Sequence, residues 1–267
     1  SGTNNVPAIY NLLFENFQGP TYDNFLIGFP TEDNLFPDWV NYDLDGLADQ
    51  SGGDRPDEWF LAVAFADVDT NYMESMYPDS DNVVMASNSW TNDATTPVSN
   101  YLITPKIFIS DDQAALHWKS APFQTPRYLD GYYVLVSVGG NEDYEFTDTI
   151  ARFSEFLSAN VLEDSLTYSF SPGIRHSLIE DNDGDILRYR GVLQSFQRSL
   201  AAYSGMSIHI AFYHGCTDDN LISIDDILVL GNGSVGIEES HVSKLNLTIN
   251  PNPAKDFMQV NYYLNNN

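Results

Sequence analysis

Leu221-Ile222-Ser223-Ile224-Asp225-Asp226-Ile227-Leu228-Val229-Leu230 is an apolar run with two carboxylates at its centre, bounded by Asp218-Asp219-Asn220 before it and Gly231-Asn232-Gly233 after it. Its length, β-branched content and flanking turn residues predict a β-strand. Strict alternation places Asp226 on the face of Ile222, Ile224 and Leu228, and Asp225 on the face of Ser223 and Ile227. At least one of the two carboxylates therefore points inward. A buried carboxylate is costly unless it meets a cation, an arginine or several N–H donors.

The same period recurs along the chain. Ala115-Leu116-His117-Trp118-Lys119, Tyr132-Tyr133-Val134-Leu135-Val136-Ser137-Val138 and Met206-Ser207-Ile208-His209-Ile210-Ala211-Phe212 all alternate or run apolar between Gly, Pro, Asn or Asp turns. Only residues 147–159, with Phe153, Phe156 and Leu157 at helical spacing, and residues 188–202 suggest short helices. An aromatic content of 13%, with 16 Tyr and 16 Phe, suits two sheets packed face to face. The expectation is an all-β jelly-roll sandwich over residues 10–232, with short helical insertions. A leader at 1–9 and a linker at 233–243 flank it, and a separate segment occupies 244–267.

Composition narrows the partners. The chain has 38 acidic and 11 basic residues, a formal charge of -27. It has no basic patch to neutralise phosphates, so neither nucleic acid nor an anionic membrane surface is expected as partner. No run approaches the ~18 apolar residues of a membrane-spanning helix. Cys216 is the sole cysteine, which excludes an intramolecular disulfide and leaves metal as the usual alternative staple. Ser1-Gly2-Thr3 reads as a mature or engineered start.

Catalytic signatures are absent: no Gly-x-Ser-x-Gly, no His-Glu-x-x-His, no phosphate loop. Gly231-Asn232-Gly233-Ser234-Val235-Gly236 fits dinucleotide-type glycine spacing, but no helix follows it, so it reads as a linker. His117, His209 and His214 sit on strands beside aromatics and read as packed or surface histidines. Asp181-Asn182-Asp183-Gly184-Asp185 sets alternating acids about a glycine turn. Asp181, Asp183 and Asp185 are a second candidate cation site, although the glycine falls too early for an EF-hand. Asp79-Ser80-Asp81-Asn82 and Asp111-Asp112 read as solvated turns.

Several stretches in order carry a family resemblance: Leu13-Phe14-Glu15-Asn16-Phe17, Pro37-Asp38-Trp39, Asp43-Leu44-Asp45-Gly46, Ser87-Asn88-Ser89-Trp90, Ser99-Asn100-Tyr101-Leu102-Ile103-Thr104-Pro105, Tyr132 to Ser137, Phe212-Tyr213-His214-Gly215-Cys216-Thr217-Asp218 and Ile224-Asp225-Asp226-Ile227. Together they resemble the cleaved-adhesin or choice-of-anchor domains, MAM-like jelly rolls of Bacteroidetes surface proteins. The resemblance implies a calcium ion clamping the first strand to the last, held by Glu15 and Asp225 or Asp226, with Asp43 and Asp45 as further ligands. The competing reading makes Glu15 a solvent-facing strand residue and leaves the aspartates bonded to loop amides. The insertion at 174–190 departs from the family pattern. Lys244-Leu245-Asn246-Leu247-Thr248-Ile249-Asn250-Pro251-Asn252-Pro253-Ala254 resembles the start of a type IX secretion sorting domain, cut short here. That implies contact with the secretion machinery and a secreted or outer-membrane cell-surface address.

Three functions are consistent with these readings. The first is a non-catalytic adhesin-like module binding a host or surface protein, a haem-bearing partner or a glycan, with Trp90, Tyr101, Trp118 or Tyr128 as platform if the ligand is a sugar. The second is a carbohydrate-active enzyme or carbohydrate-binding module on the same fold. The third is a structural accessory domain of a surface assembly.

Overall fold

The computed structural model describes residues 10–15, 17, 26–28, 38–50, 55–66, 79–125, 128–153, 166–171, 173–181, 184–231, 246–250 and 259–263. In chain order the strands are β1 (Tyr10–Glu15), β2 (Leu26–Gly28), β3 (Val40–Asp43), β4 (Phe60–Ala64), β5 (Asp79–Asn88), β6 (Asn100–Ile103), β7 (Ile107–Phe108), β8 (Ala115–Pro122), β9 (Gln124–Thr125) and β10 (Tyr133–Ser137). Then follow β11 (Asp148–Phe153), β12 (Thr167–Tyr168), β13 (Ile174–Asp181), β14 (Gly184–Arg190), β15 (Gln194–Ser199), β16 (Ser207–His214), β17 (Leu221–Gly231), β18 (Asn246–Asn250) and β19 (Gln259–Tyr263).

Residues 1–233 and 234–267 form two compact units. The second unit holds the antiparallel pair β18–β19. In the first, one seven-stranded sheet runs β15-β8-β17-β5-β4-β2 with β1 also on β17, and another runs β12-β11-β10-β16-β6-β3 with β7 also on β16. The winding is that of a jelly roll. β5 pairs with the last core strand, β17, in one sheet, and β6 pairs with β16 in the other. β8 and β10 lie on the far sides of β17 and β16, and β15 and β11 lie beyond them.

The inner faces of the two sheets interdigitate. Leu61, Met85, Leu116, Trp118, Ile222, Ile224, Ile227 and Val229 from the first sheet pack with Leu102, Val134, Val136, Ile150, Ile208, Ile210 and Phe212 from the second. Trp118 is 1% exposed. Its ring meets Phe153, Tyr168, Phe196 and Phe212 at centroid distances of 5.8–6.4 Å, and its Nε1–H donates to Tyr132 Oη at 2.7 Å. Trp118 is thus a core residue and not a platform for sugar, a correction to its reading from sequence.

Three further expectations change. Residues 148–153 are a strand and not a helix, because Thr149 and Ile150 are β-branched and Ile150, Ala151 and Phe153 are buried against neighbouring strands. Residues 188–202 hold the end of β14, then β15 with burial alternating along it, and then a single 3-10 turn at Ala201–Tyr203. Asp79 to Asn82 open β5 and form no turn.

A further change lies in β17. Its pairing with β8 slips between Asp225 and Leu228, and Asp226 adopts φ 46°. A bulge of this kind inserts one residue and reverses the side-chain parity beyond it. Ile222 and Ile224 face the core before the bulge and Ile227 and Val229 after it. Asp226 and Leu228, expected from alternation to share the inward face with Ile224, are therefore only half-buried.

Candidate binding site

The loops after β3, β5 and β16 are laced together by backbone hydrogen bonds. Ser89 N–H donates to Asn220 O (2.9 Å), Asp218 N–H to Ser89 O (3.1 Å), and Gln50 N–H to Trp90 O (3.0 Å). Side chains tighten the same junction. Arg55 Nη1 donates to Asn88 Oδ1 (2.9 Å) and Asn220 Oδ1 (3.1 Å), and Asn88 Nδ2 donates to Asp49 Oδ1 (3.1 Å). Burial holds the Arg55 guanidinium below its ordinary pKa, and the neighbouring Asp49 charge opposes that.

Where these loops meet is an open pocket of about 280 Å³ lined by Trp90, Gln124, Tyr128, Asp218, Asp219 and Asn220. Trp90 is 37% exposed, whereas Asp219 is buried. Tyr128 (φ 57°) and Asp218 (φ 52°) sit in the left-handed region, which non-glycine residues occupy at a cost and which concentrates at ligand sites. The arrangement offers an aromatic wall, carboxylates and side-chain amides converging on one concavity, as small-ligand sites do. Two of the four aromatics expected as a sugar platform, Trp90 and Tyr128, thus line one pocket. Tyr101 lies elsewhere, in a row across the outer face of the second sheet in which Tyr42, Tyr101, Tyr213 and Tyr133 are paired strand to strand. Its ring stacks on Tyr213 at 4.4 Å, so that face of the ring is already covered.

The insertion at 174–190 has a place beside the pocket. It is a β-hairpin, β13–β14, and its second strand pairs with β9 through Tyr189 to Thr125 and Arg190 to Gln124. The hairpin therefore buttresses the strand that supplies Gln124. Arg190 lies over the Phe123 ring, 3.7 Å from its centroid.

A fully buried polar network adjoins the loops that line the pocket. Ser89 Oγ donates to Asp130 Oδ2 (2.8 Å), and His214 Nε2 lies 2.8 Å from Asp130 Oδ1. His214 Nδ1 lies 2.8 Å from Ser87 Oγ, which also accepts from Asn100 Nδ2 at 3.1 Å. Trp59 Nε1–H closes the chain on Asn100 O (3.1 Å). Ser87, His214 and Asp130 are the residue types of a hydrolase triad, but they are 0%, 0% and 1% exposed. A nucleophile without access to substrate does no chemistry, so this set ties loops together. No local spacing in the sequence announced it, since the partners of His214 lie 84 and 127 residues away.

The expected calcium ligands divide into two groups. Asp225 is 2% exposed, and burial, then the Asp226 charge, push its carboxyl up to about 7. It hydrogen-bonds the Asn82 side chain, and its Oδ1 accepts from Asp226 N–H at 2.7 Å. Lys119 Nζ sits 2.7 Å from Asp226 Oδ2. β1 runs alongside, with Glu15 in register with Ile227. The described oxygens here, from Asp225, Asp226 and Asn82, are of the kind calcium takes, and Lys119 is the cation that now pairs with Asp226. Asp43 and Asp45 do not join it. Asp43 Oδ1 accepts from Asp45 N–H and Gly46 N–H (3.0 Å each), and Asp45 accepts from Leu47 N–H and Ser99 N–H. Asp43 ends β3 in register with Asn100 of the second sheet, and Asp45 lies in the turn after it. Asn100 reaches Ser87, whereas Asp225 is bonded to Asn82, five residues along β5, roughly 16 Å of extended strand. In the second candidate site Asp183 lies outside the described residues, and Asp181 and Asp185 pair through the backbone of the hairpin with Gly184 and Glu180. For Glu15, Asp181 and Asp185 the description is of backbone alone.

The two packed sheets define an antiparallel β-sandwich of jelly-roll winding with an open pocket at its loops. The chain belongs to the cleaved adhesin domain family, whose model matches residues 49–229. It is 29% identical over 183 residues to hemagglutinin A of Porphyromonas gingivalis strain W83, an alignment covering 66% of this chain and 8% of the relative. A second P. gingivalis hemagglutinin A is 28% identical over 175 residues, with 64% and 6% covered. The chain thus spans less than a tenth of the length of these relatives. Among solved structures, the K1 and K3 cleaved adhesin domains of Lys-gingipain from P. gingivalis W83 match with TM-scores of 0.48 and 0.47 at 19% and 17% identity. They cover 83% and 84% of this chain and 98% and 99% of theirs.

Proposed function

We propose that this adhesin-like module is secreted or displayed at the cell surface and binds a glycan, on a host or surface glycoprotein, through the pocket between Trp90 and Tyr128, without chemistry. The pocket's composition carries the proposal. A flat indole edge beside carboxylates and amides matches the alternation of apolar C–H faces and hydroxyls on a sugar ring. Membership in the cleaved adhesin family supports it. With a net charge of -27 and two aspartates in the pocket, neutral glycans are favoured over sulfated or sialylated ones. A carbohydrate-active enzyme calls for a carboxyl of raised pKa in the cleft, whereas Asp57 and Asp225, whose carboxyls burial pushes up, both lie outside the lining of this pocket.

A calcium ion at Asp225, Asp226 and Glu15 would supply the positive charge that lets Asp225 ionise in place and would clamp β1 to β17. The β18–β19 hairpin is proposed as the beginning of a secretion label read by type IX machinery. Among the described residues no helix is long and apolar enough to cross a membrane.

Intrinsic fluorescence tests the pocket. Trp59 and Trp118 are buried and Trp39 half-buried, leaving Trp90 as the exposed indole. Titration with neutral oligosaccharides is expected to change the emission, and Trp90→Phe is expected to abolish the change. Asp218→Asn should weaken binding about tenfold, roughly 1.4 kcal/mol. An emission change of full size in Trp90→Phe would place the ligand elsewhere.

A further inference from the structure

We infer that Asp130, His214 and Cys216 form a binding site for one zinc-like divalent ion, joining the β16–β17 loop to the segment before β10. The ligand atoms of these three residues all lie within 4.8 Å of one another. Among the described residues no other such group of three histidine, cysteine or acidic side chains is present. Tetrahedral zinc with bonds of about 2.0–2.3 Å sets its ligand atoms roughly 3.2–3.7 Å apart, so Asp130 Oδ1 and His214 Nε2, now 2.8 Å apart, need to part by about half an ångström while Cys216 Sγ closes by about an ångström at most.

The donor set selects the metal. Imidazole nitrogen and thiolate sulfur beside one carboxylate oxygen suit zinc and its borderline-soft neighbours and do not suit calcium or magnesium. The surroundings already orient each ligand. Ser87 Oγ holds His214 Nδ1 at 2.8 Å, so Nε2 points at Asp130. Ser89 Oγ and Gly131 N–H bond the Asp130 carboxylate at 2.8 and 3.0 Å. Such outer contacts are what fix the ligands of natural zinc sites. Gly131 permits the close approach of Phe153 O, from which a Cβ would lie only 2.5 Å, and it lies against Cys216, whose Sγ such a Cβ would touch at 3.4 Å. Cys216 Sγ–H donates to Gly131 O at 3.3 Å. Cys216 is half-buried, which leaves a path for the ion and for the proton that leaves.

On binding, His214 moves its proton from Nε2 to Nδ1, where Ser87 Oγ accepts it, and Cys216 gives its thiol proton to solvent. One proton is released per ion, so affinity rises with pH below the thiol pKa. Cys216 precedes Asp218, Asp219 and Asn220 in the pocket lining, and its carbonyl accepts from Val98 N–H at 2.9 Å. An ion here would therefore pin the loop that presents the pocket carboxylates.

The test uses the full chain, stripped of metal and given one equivalent of zinc or cobalt(II). Expected are one retained ion per chain, a near-ultraviolet thiolate-to-cobalt charge-transfer band, and a fall of tenfold or more in the rate at which Cys216 reacts with Ellman's reagent once zinc is added. Cys216→Ala should remove the band and the retained ion while leaving the fold intact, as judged by the melting curve. His214→Gln, which keeps a hydrogen-bonding group in the buried network, should weaken zinc binding at unchanged thiol exposure. No retained ion, a thiol rate indifferent to zinc, or unchanged zinc binding in Cys216→Ala would each show that the three residues form a hydrogen-bond network only.

Discussion

In excess chelator, Asp225→Asn is expected to melt well above the wild type at pH 8 and at the same temperature at pH 4. An aspartate ionises near 3.8 in the open chain, whereas in the fold Asp225 ionises near 7, because it is buried and faces Asp226. A group whose folded pKa is raised contributes stability that is intact below the unfolded value and is lost as pH climbs through the folded one. The window is therefore about pH 4 to 7. Each tenfold change in proton concentration across it is worth about 1.4 kcal/mol, so the full loss approaches roughly 4 kcal/mol. Asparagine keeps the oxygen that accepts from Asp226 N–H and carries no charge to bury. In a domain of this size about 4 kcal/mol corresponds to roughly 8–16 °C in melting temperature. Calcium at about 1 mM is expected to restore part of the wild-type loss at pH 8, about 1.4 kcal/mol for an affinity near 10⁻⁴ M. It should leave Asp225→Asn unmoved. Melting curves at both pH values check all of this. A wild type that is as stable at pH 8 as at pH 4 in chelator would mean that Asp225 is not held protonated, and a calcium response of equal size in Asp225→Asn would place the ion elsewhere.

The second large effect is structural. Trp118→Ala is expected to cost about 3–5 kcal/mol, in the range of large aromatic truncations in a packed core. The indole contacts four aromatic rings, and its removal also strips the buried Tyr132 hydroxyl of its donor. Trp118→Phe should recover most of the packing but not the hydrogen bond and land between the two. Denaturant unfolding of the three proteins checks the order. A Trp118→Ala variant within about 1 kcal/mol of wild type would mean that the two sheets are not packed through this cluster.

The sheets were legible because period-two patterning is local: β10, β16 and β17 all follow the apolar runs that announced them. The register within β17 was not. A bulge reverses the faces through one backbone angle, at Asp226, and no residue type announces it, since aspartate is common in ordinary turns as well. Residues 148–153 misled because a few apolar residues fit both periods over so short a span. Trp118 looked available because exposure is decided by the facing sheet and not by the strand that carries the residue. Family resemblance alone groups Asp43 and Asp45 with Asp225 and Asp226, whereas Asp43 ends β3 of the second sheet, Asp45 lies in the turn after it, and the other two lie on β17 of the first sheet. The pocket itself depends on contacts between residues more than a hundred positions apart, Trp90 with Asp218 to Asn220, which sequence spacing does not encode.

Binding is assigned to the loop pocket. The most direct measurement is a panel of immobilised neutral glycans and glycoproteins probed with the wild type, Trp90→Ala and Tyr101→Ala. Tyr101→Ala reports on the outer tyrosine row, the other aromatic surface. Trp90→Ala is expected to lower affinity about thirtyfold, roughly 2 kcal/mol, as for a central aromatic contact, and Tyr101→Ala to change it little. Undiminished binding by Trp90→Ala, with loss in Tyr101→Ala, would contradict this assignment and move the site to the face of the second sheet.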